Sequence, residues 1–137
     1  MTQRSRLRNQ DGFIRGLVWI VVVLAVISVV ILDGMAIFNA YQTAGDGSGD
    51  AAQAALTEYA QSGDLTAAKL AAEEQAAKTG LQIVGFSVVA APDGTYKVTV
   101  KGKTSADTYA FHYLGIISPL KDWVEKTTHP VRSNSAQ

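Results

Sequence analysis

The sequence has no cysteine and only two histidines in 137 residues. Without cysteine, the chain cannot form a disulfide framework, a thiolate metal site or a lipid-modified cysteine. The histidines, His112 and His129, do not have metal-ligand spacing, and no cluster of carboxylates lies beside them in the sequence. The serines lack the G-x-S-x-G pattern of a nucleophile elbow. We therefore predict no enzymatic activity, no metal, no cofactor and no small-molecule substrate.

Charge is balanced overall but absent from one region. The formal net charge is zero, so no overall positive field indicates nucleic acid as a partner. Residues 16–32 contain no Asp, Glu, Lys or Arg. Residues 13–32 form an apolar run of the length needed to cross a bilayer, which is about 20 residues. The remaining sequence is too poor in apolar side chains to bury a helix that is apolar on all sides, so we predict a membrane-spanning helix.

A cleaved secretory signal is the main alternative for this apolar run. A basic segment precedes the run, as such a signal requires. The run is longer than the usual h-region of about 7–15 residues, and no A-x-A cleavage site follows it. Retention as an anchor is therefore favoured.

The charges that flank the run predict its orientation. Lysine and arginine beside a span stay on the cytoplasmic side of the membrane. Four arginines, Arg4, Arg6, Arg8 and Arg15, lie in or before the start of the run, and Asp11 is the single acid there. We predict a single-pass protein of the cytoplasmic membrane with its N-terminus inside and the part after residue 32 outside.

Two polar residues of the apolar helix are candidates for helix packing or register. Ser28 is the one hydroxyl inside the run, and a serine can bond to the backbone of its own helix. Asp33 follows the run and has two interpretations. It is either a carboxylate at the bilayer edge or part of a longer apolar helix, where it would pair with a cation of a neighbouring subunit.

Residues 44–50 contain three alternating glycines and predict a flexible joint that ends the first helix. Two alanine-rich helices are expected after it, starting at residues 51 and 65. Ser62 or Asp64 can cap the second of these helices, and Gly80 is the predicted stop.

The pattern changes to strand after residue 80. Residues 81–90 are rich in β-branched side chains, a Pro-Asp-Gly turn follows, and residues 96–103 alternate between apolar and polar. This pattern predicts a β-hairpin with one buried face. Lys97, Lys101 and Lys103 lie on its other face, where they either protect a sheet edge or contact an acidic partner.

The last part of the sequence is less clear. Residues 106–115 are typical of a short helix with Asp107 near its start, residues 119–131 fit either a strand or a helix, and residues 132–137 predict a disordered tail. The fold class is thus α+β: a long transmembrane helix, alanine-rich helices and a small antiparallel sheet. The predicted divisions are a basic cytoplasmic leader (1–12), the spanning helix and its extension (13–43), the joint (44–50), an external domain (51–131) and the tail.

The layout resembles the TadE/TadG-like pseudopilins of the tight-adherence (Flp, type IVb) pilus systems. The features that carry the resemblance are Gly12-Phe13 before the apolar run, Asp33-Gly34 at its end, the alanine-rich helices, the hairpin and the final TTHPV segment. The resemblance implies a pilin-like structural protein of pilus assembly or secretion. Its partners would be the lipid bilayer and other membrane helices or pilin-like subunits. It also implies a leader-processing site at Gly12 and Phe13.

The fifth residue after Gly12, where pilin-like proteins usually carry a glutamate, is Leu17. A processed filament subunit and an uncut, membrane-resident relative therefore both remain open. A second function class is a membrane-tethered binding module or accessory subunit of a larger membrane complex. Its contact surface would be the lysines of the hairpin with Tyr96, Tyr109 and Tyr113.

Overall fold

The computed structural model describes the backbone of residues 4–116 and 118–137, and the side-chain surroundings of residues 13–116 and 119–137. The protein has the predicted α+β class, with a long N-terminal helix, shorter helices and a three-stranded antiparallel sheet. In chain order the elements are α1 (Arg4–Ser62), α2 (Leu65–Lys78), β1 (Gln82–Ala90), β2 (Tyr96–Lys103), α3 (Ala110–Leu114), a 3-10 turn (Ser118–Leu120), α4 (Lys121–Thr128) and β3 (Val131–Ala136).

Helix α1 continues without a break through residues 44–50, so the predicted flexible joint is wrong. Each glycine costs a helix about 1 kcal/mol relative to alanine, which explains the prediction. Tertiary contact outweighs this cost, because a Cβ on Gly47 would lie 2.9 Å from Thr79 Oγ1 and 3.4 Å from Leu81 Cδ2. The absence of a side chain at Gly47 therefore lets the end of α2 approach the backbone of α1.

Alanines make most of the contact between α1 and α2. The buried alanines of α2 recur every fourth residue and so share one face of the helix. Because their side chains are short, the two helix backbones can approach closely, and the sheet closes the core from the other side with Val98 and Val100. The core cluster includes Ala44, Ala51, Ala52 and Ala55 of α1 and Ala68, Ala72 and Ala76 of α2.

The ends of α2 follow the sequence prediction. Asp64 is its N-cap, and its Oδ1 accepts a 2.8 Å hydrogen bond from the backbone N–H of Thr66. Gly80 has a φ of +68°, a conformation that favours glycine after a helix. The N–H of Leu81 then donates to the carbonyl of Ala76 at 2.9 Å and closes the helix end.

Strands β1 and β2 form the predicted antiparallel hairpin. At its turn, Asp93 Oδ1 accepts hydrogen bonds from the hydroxyl and the N–H of Thr95 at 2.7 and 3.0 Å. These two bonds, the hydroxyl first, hold the pKa of the exposed Asp93 carboxyl below its usual value. On the inner face of β2, Val98 and Val100 are fully buried. The prediction of one buried face is therefore confirmed.

The C-terminal residues differ from the sequence prediction. Most of residues 119–131 is helix α4, and the predicted disordered tail forms strand β3, which pairs with β2 from Lys103↔Val131 to Val98↔Ala136. The tail is polar, but the free edge of β2 offers backbone partners and α1 offers contacts. Arg132 lies 5.0 Å above the Tyr41 ring, for example. The folded domain thus includes α1 residues well before the predicted boundary at residue 51.

Strand β2 is the central strand of the sheet because the order is β1-β2-β3. Its lysines, Lys97, Lys101 and Lys103, therefore do not protect a sheet edge, and that interpretation of them is wrong.

The two ends of β2 lie at different positions along α1. Tyr96, at the start of β2, packs edge-to-face on Tyr59 at a centroid distance of 4.9 Å, whereas the other end of the strand pairs with Val131.

Candidate functional site at the end of the apolar helix

The first part of α1 has no protein cover. In the part of the chain that the structure describes, α1 is the one helix long and apolar enough to cross a membrane, and only 6% of its most apolar stretch is buried. A core helix of a soluble domain would be mostly covered. Met35 and Phe38 extend this exposed apolar surface beyond residue 32.

Three predicted site residues lie on this uncovered part of the helix. Phe13 and Leu17 are more than half exposed. Ser28 donates a 2.8 Å hydrogen bond to the carbonyl of Leu24, as predicted, so its hydroxyl is satisfied within the helix. The backbone at Gly12 is helical, but its surroundings lie outside the described residues. The large apolar side chains of this stretch are about half exposed or more, so the described part of the domain leaves their surface available to lipid or another helix.

Asp33 joins the end of the apolar run to α3. It is fully buried, at 0% exposure. Its Oδ1 accepts a 2.7 Å hydrogen bond from the backbone N–H of Tyr109, and its Oδ2 accepts from Ala110 and Phe111 at 2.8 and 3.0 Å. These N–H groups lie at the start of α3, where the backbone donors of a helix have no acceptor within the helix itself. Asp33 thus caps a helix 76 residues further along the chain.

The electrostatic balance at Asp33 favours the charged form. Burial raises the pKa of its carboxyl, but the three hydrogen bonds from Tyr109, Phe111 and Ala110 together outweigh burial, and the pKa lies below the ordinary value of 3.8. A carboxylate that accepts several backbone N–H bonds is stabilised in this way. Asp33 lies just beyond the apolar run 13–32 and is ionised at neutral pH.

This geometry corrects one of the two interpretations of Asp33 made from the sequence. The other interpretation, a carboxylate at the bilayer edge, stays a prediction. Asp33 is not a free ligand for a neighbour's cation, because both of its oxygens accept hydrogen bonds within the chain. Through these hydrogen bonds, Asp33 fixes the start of α3 against α1. The sequence placed Asp107 near the start of α3, but Asp107 is exposed and α3 has no side-chain cap of its own. No local pattern could have revealed the partner of Asp33.

The lysine strip lies on the side of the sheet that faces away from α1. Lys97 and Lys101 are exposed and Lys103 is half-buried. The strand register places Ser87 and Ser135 beside Thr99, and Ser133 beside Lys101. The strand residues that share this face are Gln82, Gly85, Ser87, Val89, Lys97, Thr99, Lys101, Lys103, Val131, Ser133 and Ser135. None of them is acidic, although Asp122 and Glu125 of α4 lie beside Lys103 at one end of the face. The structure therefore brings the three predicted lysines together on a basic, hydroxyl-rich surface.

A cleft of about 590 Å³ between α3 and α4 is lined by both histidines, together with Asp107 and Glu125. His112 and His129 are 17 positions apart, and no sequence pattern indicated that they share a site. Among the described residues, no three His, Cys, Asp or Glu side chains are placed to hold a metal ion.

The chain was compared with protein-family models, with curated proteins and with solved structures, and none of the three comparisons found a match.

Proposed function

We propose that this protein is a single-pass membrane protein of the TadE/TadG-like pseudopilin type, and that it acts structurally in the assembly or anchoring of a pilus or secretion apparatus. The observation that carries the proposal is the dual use of α1. Its first part is an uncovered apolar cylinder, and its second part is a core element of the domain. The proposed orientation places the N-terminus inside, because of the arginines.

The unbroken helix supports a structural role. Its 59 residues span roughly 88 Å at about 1.5 Å per residue, so one rigid rod links the membrane segment to the sheet. A displacement of the anchor would therefore move the whole domain, as an assembly subunit requires. In lipid, helices associate through close van der Waals packing rather than through the hydrophobic effect. The exposed face around Leu17 and Ser28 is the proposed contact with neighbouring helices.

The absence of cysteine provides a direct test of this contact. Single cysteines introduced at each position from 17 to 31 would be oxidised in native membranes, and any crosslinked dimer would come from the introduced residue alone. Specific helix packing predicts that the dimer yield oscillates with a period of about 3.6 residues. Equal yields at every position, or no dimer at any position, would contradict the assembly role.

The processing of the leader needs a separate measurement. The intact mass of the protein extracted from its native membrane distinguishes the two forms. Loss of residues 1–12 supports prepilin-type processing at Gly12 and Phe13, and an intact N-terminus identifies a membrane-resident relative.

The alternative function is a membrane-tethered binding module, and the lysines on the outer face of the sheet favour it. Three lysines and several hydroxyls on one open sheet face suit an anionic partner. The variant Lys97→Glu/Lys101→Glu should then lose the partner in a pull-down. The matched control is Lys69→Glu/Lys78→Glu on α2, which makes the same change in net charge away from the sheet. Equal binding by both variants would rule out this function.

A further inference from the structure

Three large side chains of α3 and its C-terminal turn are uncovered and share one face. Tyr109, Tyr113 and Ile116 are 69%, 70% and 76% exposed. Their spacing of four and then three residues puts them on the same side of a helical turn. We call these three residues the aromatic face. Phe111, on another side of the turn, packs against Trp123 at a centroid distance of 5.5 Å, and Trp123 is itself 54% exposed.

Asp33 fixes the level of the aromatic face along α1. The N–H groups of Tyr109, Ala110 and Phe111 lie within 3.0 Å of its carboxylate. Asp33 immediately follows the apolar run that ends at residue 32. Helix α3 therefore begins beside α1 at the point where the apolar run ends.

This level corresponds to the headgroup region of a bilayer. The hydrocarbon core is about 30 Å thick, and the headgroup regions bring the total to about 40–45 Å. Residues 13–32 account for roughly 30 Å of helix, and residues 33–38 for the next ~9 Å. Two further exposed apolar side chains of α1 lie in this second interval, Met35 within the headgroup region and Phe38 at its outer limit. Tyrosine and tryptophan are the residues enriched at this depth, because they combine an apolar ring with a polar tip.

We infer that the aromatic face lies in the lipid headgroup region of the leaflet from which α1 emerges, and that Asp33 holds it there. The inference rests on the proposed membrane span. Lipid is the occupant that the position favours, because α3 begins next to Asp33, where the apolar run ends, beside a helix whose exposed surface is apolar up to Phe38. The domain is thereby attached to the membrane at two places, and its tilt relative to the bilayer is limited.

The two tryptophans allow the anchor and the aromatic face to be tested separately. Trp19→Phe leaves Trp123 as the single tryptophan, and Trp123→Phe leaves Trp19 in the apolar run. Each full-length variant is reconstituted into phosphatidylcholine vesicles that carry bromine either near the headgroup or deep in the acyl chain. We expect Trp123 to be quenched by the shallow bromolipid and shielded from aqueous acrylamide. Trp19 should be quenched by bromolipid independently of Trp123.

Two further variants test whether the aromatic face is what holds Trp123 in the lipid. In the Trp19→Phe background, Tyr113→Ser/Ile116→Ser removes two of the three anchors and should reduce the shallow quenching of Trp123 by about half. Val89→Ser is the control, because Val89 is comparably exposed but lies on the outer face of the sheet. This control should leave the quenching unchanged.

The outcomes separate the inference from the proposal on which it rests. Quenching of Trp19 without quenching of either Trp123 or a tryptophan placed on the aromatic face itself (Tyr113→Trp in the Trp19→Phe/Trp123→Phe background) would overturn the inference and leave the span intact. Lack of bromolipid quenching at both tryptophans would overturn both. Shielding of Trp123 that disappears when the protein is diluted in lipid would identify a second copy of the chain as the occupant, and would also overturn the inference.

Discussion

The backbone N–H of Tyr109 donates a 2.7 Å hydrogen bond to Oδ1 of Asp33, which lies 76 positions earlier in the chain. Asp33 belongs to the long helix and Tyr109 to the start of α3, so this bond joins the end of the apolar run to the C-terminal part of the domain. Both oxygens of the carboxylate are used, and the site contains no cation among the described residues. The contact depends on a buried charge held by backbone dipoles.

Removal of this carboxylate should detach α3. We expect Asp33→Ala to destabilise the domain by about 2–4 kcal/mol, because hydrogen bonds to a charged group contribute about 1.5–3 kcal/mol and buried donors lose their partner. Asp33→Asn keeps one acceptor oxygen and should cost less. Amide hydrogen exchange in detergent would show faster exchange at Tyr109, Ala110 and Phe111. Asp107→Asn, at an exposed carboxylate near the same helix, should leave these rates unchanged, and equal effects at both positions would contradict the assignment.

The same contact should depend on pH at the acidic end of the range. The folded pKa of Asp33 is lower than the ordinary value of 3.8, so its contribution to stability is fully present above that value. The contribution is lost as the pH falls through the folded pKa, when protonation removes the charge that the N–H groups stabilise. Amide chemical shifts of Tyr109 to Phe111 should therefore titrate below pH 3.8 in the wild type. In Asp33→Asn this titration should be absent.

The glycines of α1 should differ from one another in their response to alanine. Gly45→Ala should stabilise the helix by up to about 1 kcal/mol, because nothing lies within 4 Å of the new Cβ. Gly47→Ala should destabilise the domain by about 1–3 kcal/mol, since its Cβ would lie 2.9 Å from Thr79 Oγ1. Thermal unfolding in detergent measures both. A flexible joint would give the same sign at the two positions.

Gly102 and Leu81 should be energetically coupled. A Cβ at Gly102 would lie 2.5–2.7 Å from three carbons of the Leu81 side chain. We expect Gly102→Ala to cost about 1–3 kcal/mol by overpacking. Leu81→Ala should also destabilise, by leaving a cavity, but the double variant should be less destabilised than the two single variants added together. Additive effects would show that the two residues do not compete for the same space.

Local sequence patterns predicted the elements whose causes are local. The alternation in residues 96–103 predicted a strand with a buried face, and the Asp64 cap and Gly80 stop predicted the ends of α2. Each of these depends on neighbours within a few positions. The prediction failed at residues 44–50 and 132–137, where intrinsic preference and tertiary contact point in opposite directions. Gly47 is helical because the end of α2 packs against it, and β3 forms because β2 has an open edge and α1 covers its inner side.

The candidate site also combines features that local sequence predicts with features that depend on tertiary contacts. The sequence alone determined that one apolar run of 20 residues exists, that it is long enough to cross a bilayer, and that basic residues lie at and before its start, because length, hydropathy and the positions of charges are properties of the sequence itself. It also identified Asp33 and the three lysines as residues of interest. Only the tertiary structure decided that Asp33 caps α3, that the lysines lie on a central strand, and that the tyrosines of α3 lie at the end of the apolar run. Those positions depend on contacts between residues far apart in the chain, which no local pattern encodes.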